Sequence, residues 1–527
     1  MLTAPAPPAL SEIDYQVFDV LVPQDHHLHQ VVAFIDFERF RPMLSDCYSA
    51  TMGRPSIDPV LMLKFMYLRF HYRLSDRQVM ERSKTDIAFR WFLGLGMNEH
   101  LPNHTNGTHF RQRIGPERFE HVFQELVALA REHGLVNDRL RLKDATHIFA
   151  AAADVRPLQL AAQVRDLLLQ SAQPFFADWV REQRLMVETL RQATVELPDQ
   201  ERLARRIEQL RDMTVKLREL AVSLPAAMES DGKRRRLQRA LAVAAKLLED
   251  HADPKAGDRL ASAFDHEARI GKHGDFYVGF MVDMAMDPDS EIITCLNVLP
   301  ANGAEAADAL TLIHTEEAAQ GNDVEGISID GAGYNGPVLR ELTDPAGLNL
   351  DVTVPPPQVA ERKTFGPERF SLTVLETGQG EVTCPNGQTT RQRERIDSDA
   401  GYKYIFKPGH CCGCPLRTEC LQNPASKKGR TVIKNDYEPE YQKVHEKAKT
   451  PEYQETRRTH PKVERKLGEL ARHHDLRHAK YRGLDKVQSQ ALLTALVVNV
   501  KRIVKLLTQK VSGAARTDAV RAELAPT

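Results

Sequence analysis

Residues Val324–Gly336 read VEGISIDGAGYNG, a short apolar stretch that ends in a carboxylate and a glycine-rich turn. The apolar residues Val324, Ile327 and Ile329 predict a buried strand, and Asp330 follows it directly. Because ligands in open α/β sheets bind beyond the carboxyl ends of strands, Asp330 is a candidate ligand for a metal or substrate. Asp before Gly is also an ordinary turn sequence, so this interpretation depends on partner carboxylates elsewhere.

A second candidate carboxylate lies on a predicted strand over residues 140–150, where apolar and polar side chains alternate. Asp144 has the same parity as Leu142 and Thr146, so it faces the side on which the strand packs. A carboxylate in that position needs a partner or a metal. A salt-bridged strand Asp is the alternative.

The elements around these two acids follow the order strand, long insertion, strand, strand, helix, strand, helix, strand. Residues 275–283 and 291–299 predict a hairpin, and residues 304–319 predict the helix after it. This order fits an α/β mixed fold with a ribonuclease-H-like core. Asp144 would lie on its first strand and Asp330 after its fourth.

The bulk composition is that of a soluble protein with several domains: 527 residues, 42% hydrophobic and 27% charged. No apolar run approaches the roughly 18 residues of a membrane span, and the first residues lack the pattern of a signal peptide, so a cytoplasmic location is expected. Net charge is −1, yet residues 427–510 carry 21 Lys/Arg against 10 Asp/Glu. This excess predicts a phosphate-binding surface, although a solvated helical face explains part of it.

These patterns divide the chain into a helical N-terminal domain, a split core, two insertions and C-terminal helices. The predicted boundaries are 1–16 for a disordered N-terminus, 17–135 for a helical DNA-binding domain, 136–156 and 257–355 for the ribonuclease-H-like core, 157–256 for a helical insertion, 356–450 for a cysteine-rich insertion, 451–510 for helices that complete the core, and 511–527 for a flexible tail.

Five of the seven cysteines lie within 37 consecutive residues. In an intracellular chain, clustered cysteines indicate metal ligation before disulfides. Four thiolates, from Cys384, Cys411, Cys414 and Cys420, would form a closed tetrahedral zinc site, which leaves Cys412 spare. Iron–sulfur ligation and free structural cysteines are the alternatives.

A third candidate acid, Glu464, lies on a predicted late helix beside the apolar stripe of Val463, Leu467 and Leu470. It is surrounded by Lys and Arg, so a surface Glu paired with those neighbours is the alternative. Glu469 is a competing acid on the same helix.

Three carboxylates that converge from separate elements would supply the oxygen ligands that Mg²⁺ or Mn²⁺ prefers. Two such ions about 3.5–4 Å apart stabilise the attacking and leaving oxygens of an in-line phosphoryl displacement. Asp144, Asp330 and Glu464 are therefore the candidate metal ligands of a phosphoryl-transfer site.

Arginines near predicted helix starts are the candidate DNA contacts. Arg54, Arg111 and Arg113 of the N-terminal domain favour binding in the helix-turn-helix manner, although ordinary surface arginines would explain them equally well. The arginines around the third acid complete the set of candidates; they are Arg458, Arg465 and Arg472.

Several short segments of the chain follow one another in a characteristic order. They are Tyr48-Ser49, Gly53–Pro59, Phe110–Gly115, Gly134–Val136, Asp144–Ile148, Ile329–Tyr334, Cys411–Cys420, Val463–Lys466, Tyr481–Leu484, Lys486-Val487 and Asn499–Arg502. In their order and spacing the chain resembles a DDE transposase of bacterial insertion sequences, in the group with a helical N-terminal domain and a cysteine-rich insertion. The resemblance runs from about residue 17 to residue 507.

The resemblance implies a ribonuclease-H-like core in which Asp144, Asp330 and Glu464 bind Mg²⁺ for DNA cleavage and strand transfer. It also implies double-stranded DNA partners (terminal inverted repeats and target DNA), a homodimer that synapses two ends, and action at the bacterial nucleoid. Two other functions stay open: an inactive DNA-binding protein derived from such an enzyme, and a metal-dependent nuclease of the same fold.

The chain departs from this family around the third acid. Relatives often carry Tyr, Arg and Lys there, spaced as Tyr-x2-Arg-x3-Glu-x6-Lys. The corresponding positions of this chain are Arg457, His460 and Ala471. The phosphate contacts expected around Glu464 are therefore altered.

Overall fold

The structure is a computed structural model that describes residues 10–49, 51–53, 55–151, 156–224, 232–253, 255–358, 364–374 and 380–523. It combines helices with one large and two small β-sheets, as the predicted α/β mixed class requires. Within the ranges described, no helix is both long and apolar enough to span a membrane.

The helices of these ranges are α1 (Glu12–Leu21), α2 (His27–Phe34), α3 (Arg41–Ser45), α4 (Pro59–His71), α5 (Asp76–Thr85), α6 (Ile87–Leu93), α7 (His104–Glu132), α8 (Pro157–Ala172), α9 (Ala177–Ala193), α10 (Asp199–Val222), α11 (Gly232–Ala252), α12 (Glu305–Gln320), α13 (Gly336–Leu342), α14 (Pro408–Cys411), α15 (Arg417–Cys420), α16 (Glu438–Lys447), α17 (Pro451–Thr459), α18 (Pro461–His473) and α19 (Leu484–Glu523).

The strands are β1 (Arg141–Phe149), β2 (Arg269–His273), β3 (Asp275–Met286), β4 (Ile293–Pro300), β5 (Gly326–Ser328), β6 (Asp351–Thr353), β7 (Ser371–Val374), β8 (Gly380–Thr383), β9 (Thr389–Thr390), β10 (Arg393–Ile396), β11 (Gly401–Ile405) and β12 (Thr431–Asn435).

The large sheet has β1 at its centre, in the order β4-β3-β1-β5-β6, and β2 pairs with the first part of β3. β3 is antiparallel to both β1 and β4, whereas β5 is parallel to β1 and to β6. As a result β1, β4 and β5 all run towards the same edge of the sheet. The predicted strands correspond to β1, β3, β4, β5 and β6, the last of which was expected over residues 348–354. β2 is a strand that the sequence pattern did not indicate.

The N-terminal helices share one continuous hydrophobic core with this sheet. Buried residues of α4 and α7 pack with the apolar residues of β1, β3 and β4 and with those of α19. Asn499 of α19 is fully buried, and its side chain bonds both the N–H and the carbonyl of Ile293 at 3.0 and 2.7 Å. β4 is an edge strand, so some of its backbone N–H and carbonyl groups have no partner strand. The Asn499 side chain pairs with two of these groups.

A separate core surrounds the parallel strands. Ile327, Ile329 and Val352 pack against apolar residues of α12 and α13, with Val444 of α16 on the same cluster. β5 is therefore covered tightly at the point where it leads into Asp330.

The helical insertion has its own core, formed by α8, α9, α10 and α11. The sequence predicted two to four helices there, and the described part of the insertion has four. Residues 225–231 and 254 of the insertion lie outside the described ranges.

The cysteine-rich region contains two three-stranded sheets, in the orders β7-β8-β9 and β10-β11-β12. The sequence predicted irregular structure here, because these strands are short and lack a long alternating pattern. Their shared core contains only five buried apolar residues, Phe370, Val382, Tyr404, Phe406 and Val432.

Helices extend into both termini further than expected. α1 begins at Glu12, inside the stretch predicted to be disordered, because Ser11 and Asp14 form a capping box at its start. α19 continues to Glu523, beyond the start of the predicted flexible tail at residue 511. Residues 1–9 and 524–527 lie outside the described ranges.

Candidate active site

Asp144 and Asp330 lie next to each other at the edge shared by β1 and β5. Leu142 pairs with Ser328 in the parallel ladder, and each aspartate lies two residues further along its own chain. Side chains two residues apart on a strand share a face, so the pairing brings the two carboxylates together. The Asp330 carboxylate also accepts the Ala332 N–H at 3.0 Å, which fixes the turn after the strand.

A third carboxylate, Glu305, joins this pair. Among the described residues, Asp144, Glu305 and Asp330 are the acids whose oxygen atoms all lie within 4.8 Å of one another, and each is partly buried. Glu305 is the first residue of α12 and follows β4 closely. The sequence analysis missed it, although an acid in the first turn of a helix after a predicted strand was visible. Only the strand order shows that β4 ends at the same edge.

The acidic trio, Asp144, Glu305 and Asp330, changes the electrostatics of the central strand. Burial raises the pKa of Asp144 to about 7. The negative charges of Asp330, Glu305 and the more distant Glu464 act in the same direction, and the hydrogen bond from the Ala145 N–H opposes them. A divalent cation would relieve both the burial cost and the repulsion.

Lys143 supplies a fully buried positive charge beside the trio. Its Nζ lies 3.0 Å from Asp283 Oδ2, donates to the Glu305 carbonyl at 3.0 Å, and lies 3.5 Å from the Glu305 carboxylate. Burial alone would lower the pKa of Lys143, but the charges of Asp283 and Glu305 outweigh it and leave that pKa raised. Lys143 therefore stays charged and holds the start of α12 against β1.

Glu464, the predicted third acid, lies near the trio but outside it. It is an exposed residue of α18, whose buried Val463, Leu467 and Leu470 attach the helix to the main core. Its charge contributes to the raised pKa of Asp144, so it lies within electrostatic range of that carboxylate. The structure thus brings together two of the three predicted acids with Glu305, and places Glu464 further out.

Two of the altered family positions pack against the end of β5. Arg457 donates to the Ile329 carbonyl at 3.0 Å, one residue before Asp330. His460 is buried and its Nδ1 lies 3.0 Å from Ser328 Oγ. Burial, with the charges of Arg457 and Lys143, lowers the pKa of His460 to about 4, so the imidazole is neutral at pH 7. Both side chains hold the strand that carries Asp330.

The N-terminal arginines have different environments. Arg54 lies outside the described residues. Arg111 is paired with Asp76 at 2.7 Å and its side chain is only 10% exposed, so it stabilises the helical domain instead of presenting a free cation to DNA. Arg113 is exposed and lies over the ring of Tyr48, at the wall of an open cleft. Of these candidates, Arg113 keeps a position suited to phosphate contact.

The arginines around the third acid are all exposed. Arg458 lies in the last turn of α17, and Arg465 and Arg472 lie on α18, the helix of Glu464. They lie in the segment with the local excess of positive charge, so the phosphate-binding surface predicted there stays a prediction.

Two regions of the chain match known protein families. Residues 16–113 match the family described as "Transposase domain (DUF772)", and residues 383–504 match the family described as "Transposase DDE domain". Both matches are to transposase domains, and they support the resemblance to DDE transposases of insertion sequences. No curated protein and no solved structure matches it.

The two matched regions cover different parts of this transposase. The second includes the four predicted cysteine ligands and Glu464, whereas Asp144, Glu305 and Asp330 lie between the two regions. Helix α18, which lies in the second matched region, contacts β1, the strand that carries Asp144. This contact connects the second matched region to the acidic trio.

Proposed function

We propose that this transposase binds the terminal inverted repeats of an insertion sequence and performs divalent-metal-dependent DNA cleavage followed by strand transfer. The observation that carries the proposal is the convergence of Asp144, Asp330 and Glu305 at one edge of the sheet. The match to the transposase DDE domain, which spans Glu464, supports the same chemistry.

The order of the large sheet supports a ribonuclease-H-like core. Three antiparallel strands are followed by two parallel ones, with β1 in the centre. This arrangement places the acids of β1 and of the turn after β5 at one edge, where an extended DNA backbone can reach them.

The donor set fits Mg²⁺ or Mn²⁺, which prefer carboxylate oxygens. We assign Asp144, Asp330 and Glu464 as the metal-binding acids and Glu305 as a fourth. When bound, the ions would activate the attacking hydroxyl and stabilise the leaving oxygen of the phosphodiester.

The surrounding residues of the chain hold and orient this site. Lys143 fixes the backbone of Glu305, and Arg457 fixes the carbonyl before Asp330. Exposed arginines such as Arg458 and Arg465 would contact DNA phosphates and set the register of the strand. Synapsis of two element ends would need a second copy of the chain, and the enzyme would act at the nucleoid.

The test uses a labelled DNA fragment from the flank of the gene, with Mg²⁺, and measures nicks, joined products and binding separately. Asp330→Asn should bind DNA normally but lower nicking about a thousandfold, because loss of metal contacts removes several kcal/mol of transition-state stabilisation. Asp323→Asn, an exposed acid before β5, is the matched control and should keep near wild-type activity.

Three outcomes would overturn the proposal. Nicking by Asp330→Asn at the wild-type rate would remove Asp330 from the site. Binding of the flank by the wild type without cleavage would indicate a DNA-binding protein derived from a transposase. Nicking without joined products would indicate a nuclease.

A further inference from the structure

Four of the seven cysteines surround one cavity in the cysteine-rich region. The cavity is about 30 Å³ and its lining includes Cys384, Cys411, Cys414 and Cys420. Cys384 follows β8 of one small sheet, whereas the other three lie between β11 and β12 of the second sheet. Cysteines from two separate segments of the chain thus line the same cavity.

The backbone around these thiols is tightly organised. Cys384 begins a turn in which the Gly387 N–H donates to the Cys384 carbonyl at 2.8 Å, and Gly387 has a φ of +75°. Arg417 donates to the carbonyls of Cys411 and Pro424, which holds the second loop around the cavity. These turns and hydrogen bonds fix the backbone positions from which the thiols project.

The surroundings of the cysteines favour thiolates that bind one shared cation. The Arg430 N–H donates to Cys411 Sγ at 3.4 Å. Four thiolates within mutual reach repel one another, and a bound cation converts that repulsion into attraction.

The cavity has room for a metal ion between the cysteines. Its volume of about 30 Å³ holds one or two atoms the size of water. Among the described residues, the ligand atoms of the acidic trio alone all lie within 4.8 Å. The sulfur atoms are therefore more widely spaced, and binding would draw them to about 2.3 Å from a central ion.

A bound metal ion would also stabilise the fold of the cysteine-rich region. All its cysteines are free thiols, and among the described residues its core has five buried apolar side chains, so a bound ion would add to a small core. A structural zinc ion contributes folding free energy directly, because the unfolded chain has no preformed site.

We propose that Cys384, Cys411, Cys414 and Cys420 bind one Zn²⁺ ion in a closed four-thiolate site that joins the two small sheets. The ion is structural and separate from the ions of the acidic trio. Cys412 is exposed and absent from the cavity lining, so it serves as a matched control one residue from a ligand.

The first test measures metal content of the full-length protein, purified without chelator, by mass spectrometry. Wild type and Cys412→Ser should each carry about one zinc per chain, and Cys384→Ser and Cys414→Ser should carry less than about 0.2. Less than that in wild type, or equal loss in Cys412→Ser and Cys414→Ser, would overturn the site. Iron with sulfide in place of zinc would also overturn it.

The second test uses wild-type protein alone, so it does not depend on whether a variant folds. Zinc is removed with a chelator, Zn²⁺ is added back to half the sample, and both halves are alkylated briefly and mapped by peptide mass spectrometry. Zn²⁺ should protect the four cavity cysteines at least about tenfold while Cys412 stays reactive, because a metal-bound thiolate is no longer a free nucleophile. Equal alkylation with and without Zn²⁺ would refute the proposal.

A third variant tests the ligand set. His410 lines the same cavity, and its Nδ1 is buried without a hydrogen-bond partner in the described structure. His410→Ala should keep its zinc if all four ligands are thiolates. Zinc loss in His410→Ala equal to that in Cys414→Ser would show a mixed Cys/His site and contradict the four-thiolate assignment.

Discussion

The acidic trio and the cysteine cavity bring their ligand atoms together in different ways. The trio lies on the largest sheet, between two extensive cores, and its oxygen atoms are already within 4.8 Å of one another. The cavity lies between two small sheets that share five buried apolar residues, and its sulfur atoms are more widely spaced. The comparison indicates that the fold assembles the candidate metal site of the trio in advance, whereas the proposed cysteine site would depend on its ion.

A buried cation explains how the fold holds mutually repelling acids. Lys143 is fully buried beside Asp283 and Glu305, so part of the negative charge is balanced without any metal. The cysteine cavity is lined instead by two partly buried cations, Arg417 and Arg430. The following predictions test this difference, from the largest expected effect to the smallest.

The largest effect is expected from Lys143→Met. Removing one partner of a buried ion pair leaves Asp283 uncompensated, so the free energy of unfolding in urea should fall by about 3–5 kcal/mol without any added metal. Arg139→Met is the control, since it breaks an exposed 2.8 Å pair with Asp289 and should cost about 1 kcal/mol or less. Equal effects of the two variants would show that the acidic site is not held by its buried cation.

A smaller effect is expected from Glu305→Gln, which keeps the side-chain shape but removes one charge from the trio. The Mg²⁺ concentration for half-maximal nicking should rise about tenfold, in the range of losses seen when a group that supports a metal site is removed. The control is Glu325→Gln, which changes an exposed acid before β5 and should leave that Mg²⁺ concentration unchanged. An unaltered Mg²⁺ requirement in Glu305→Gln would limit the metal site to Asp144, Asp330 and Glu464.

The smallest effect concerns pH. The folded pKa of Asp144 is about 7 against an ordinary 3.8, so the metal-free protein loses stability as pH rises between those values and the full penalty remains above them. Mg²⁺ removes this penalty, so it should raise the Tm by about 2 °C or more at pH 8 and less at about pH 5.5. Asp144→Asn should abolish this pH dependence of the Mg²⁺ effect. An equal rise in Tm of the wild-type protein at both pH values would contradict the prediction.

Local sequence patterns predicted a large part of the fold because their physical basis is local. Alternation over residues 140–150 predicted β1, and the apolar run before Asp330 predicted β5. Helical periodicity predicted the insertion that became α8 to α11. Short strands such as β7 and β9 were missed, because two to four residues carry too little pattern to distinguish a strand from a loop.

The candidate site was predictable only in part. Asp144 and Asp330 were found because each lies on or directly after a recognisable strand. Glu305 was missed because its position depends on which edge of the sheet β4 ends at. Arg111 had the same sequence features as a DNA contact, but the fold places Asp76 beside it.

The sequence by itself determined the core strands β1, β3, β4, β5 and β6, the helical insertion, the positions of Asp144 and Asp330, and the spacing of four cysteines suited to a metal. These follow from side-chain periodicity and turn chemistry within short segments. Only the tertiary structure decided that Glu305 joins the two aspartates, that Lys143 is buried beside them, and that Cys384 meets three cysteines of the other small sheet. Strand order and helix packing set those contacts, and they depend on residues far apart in the chain.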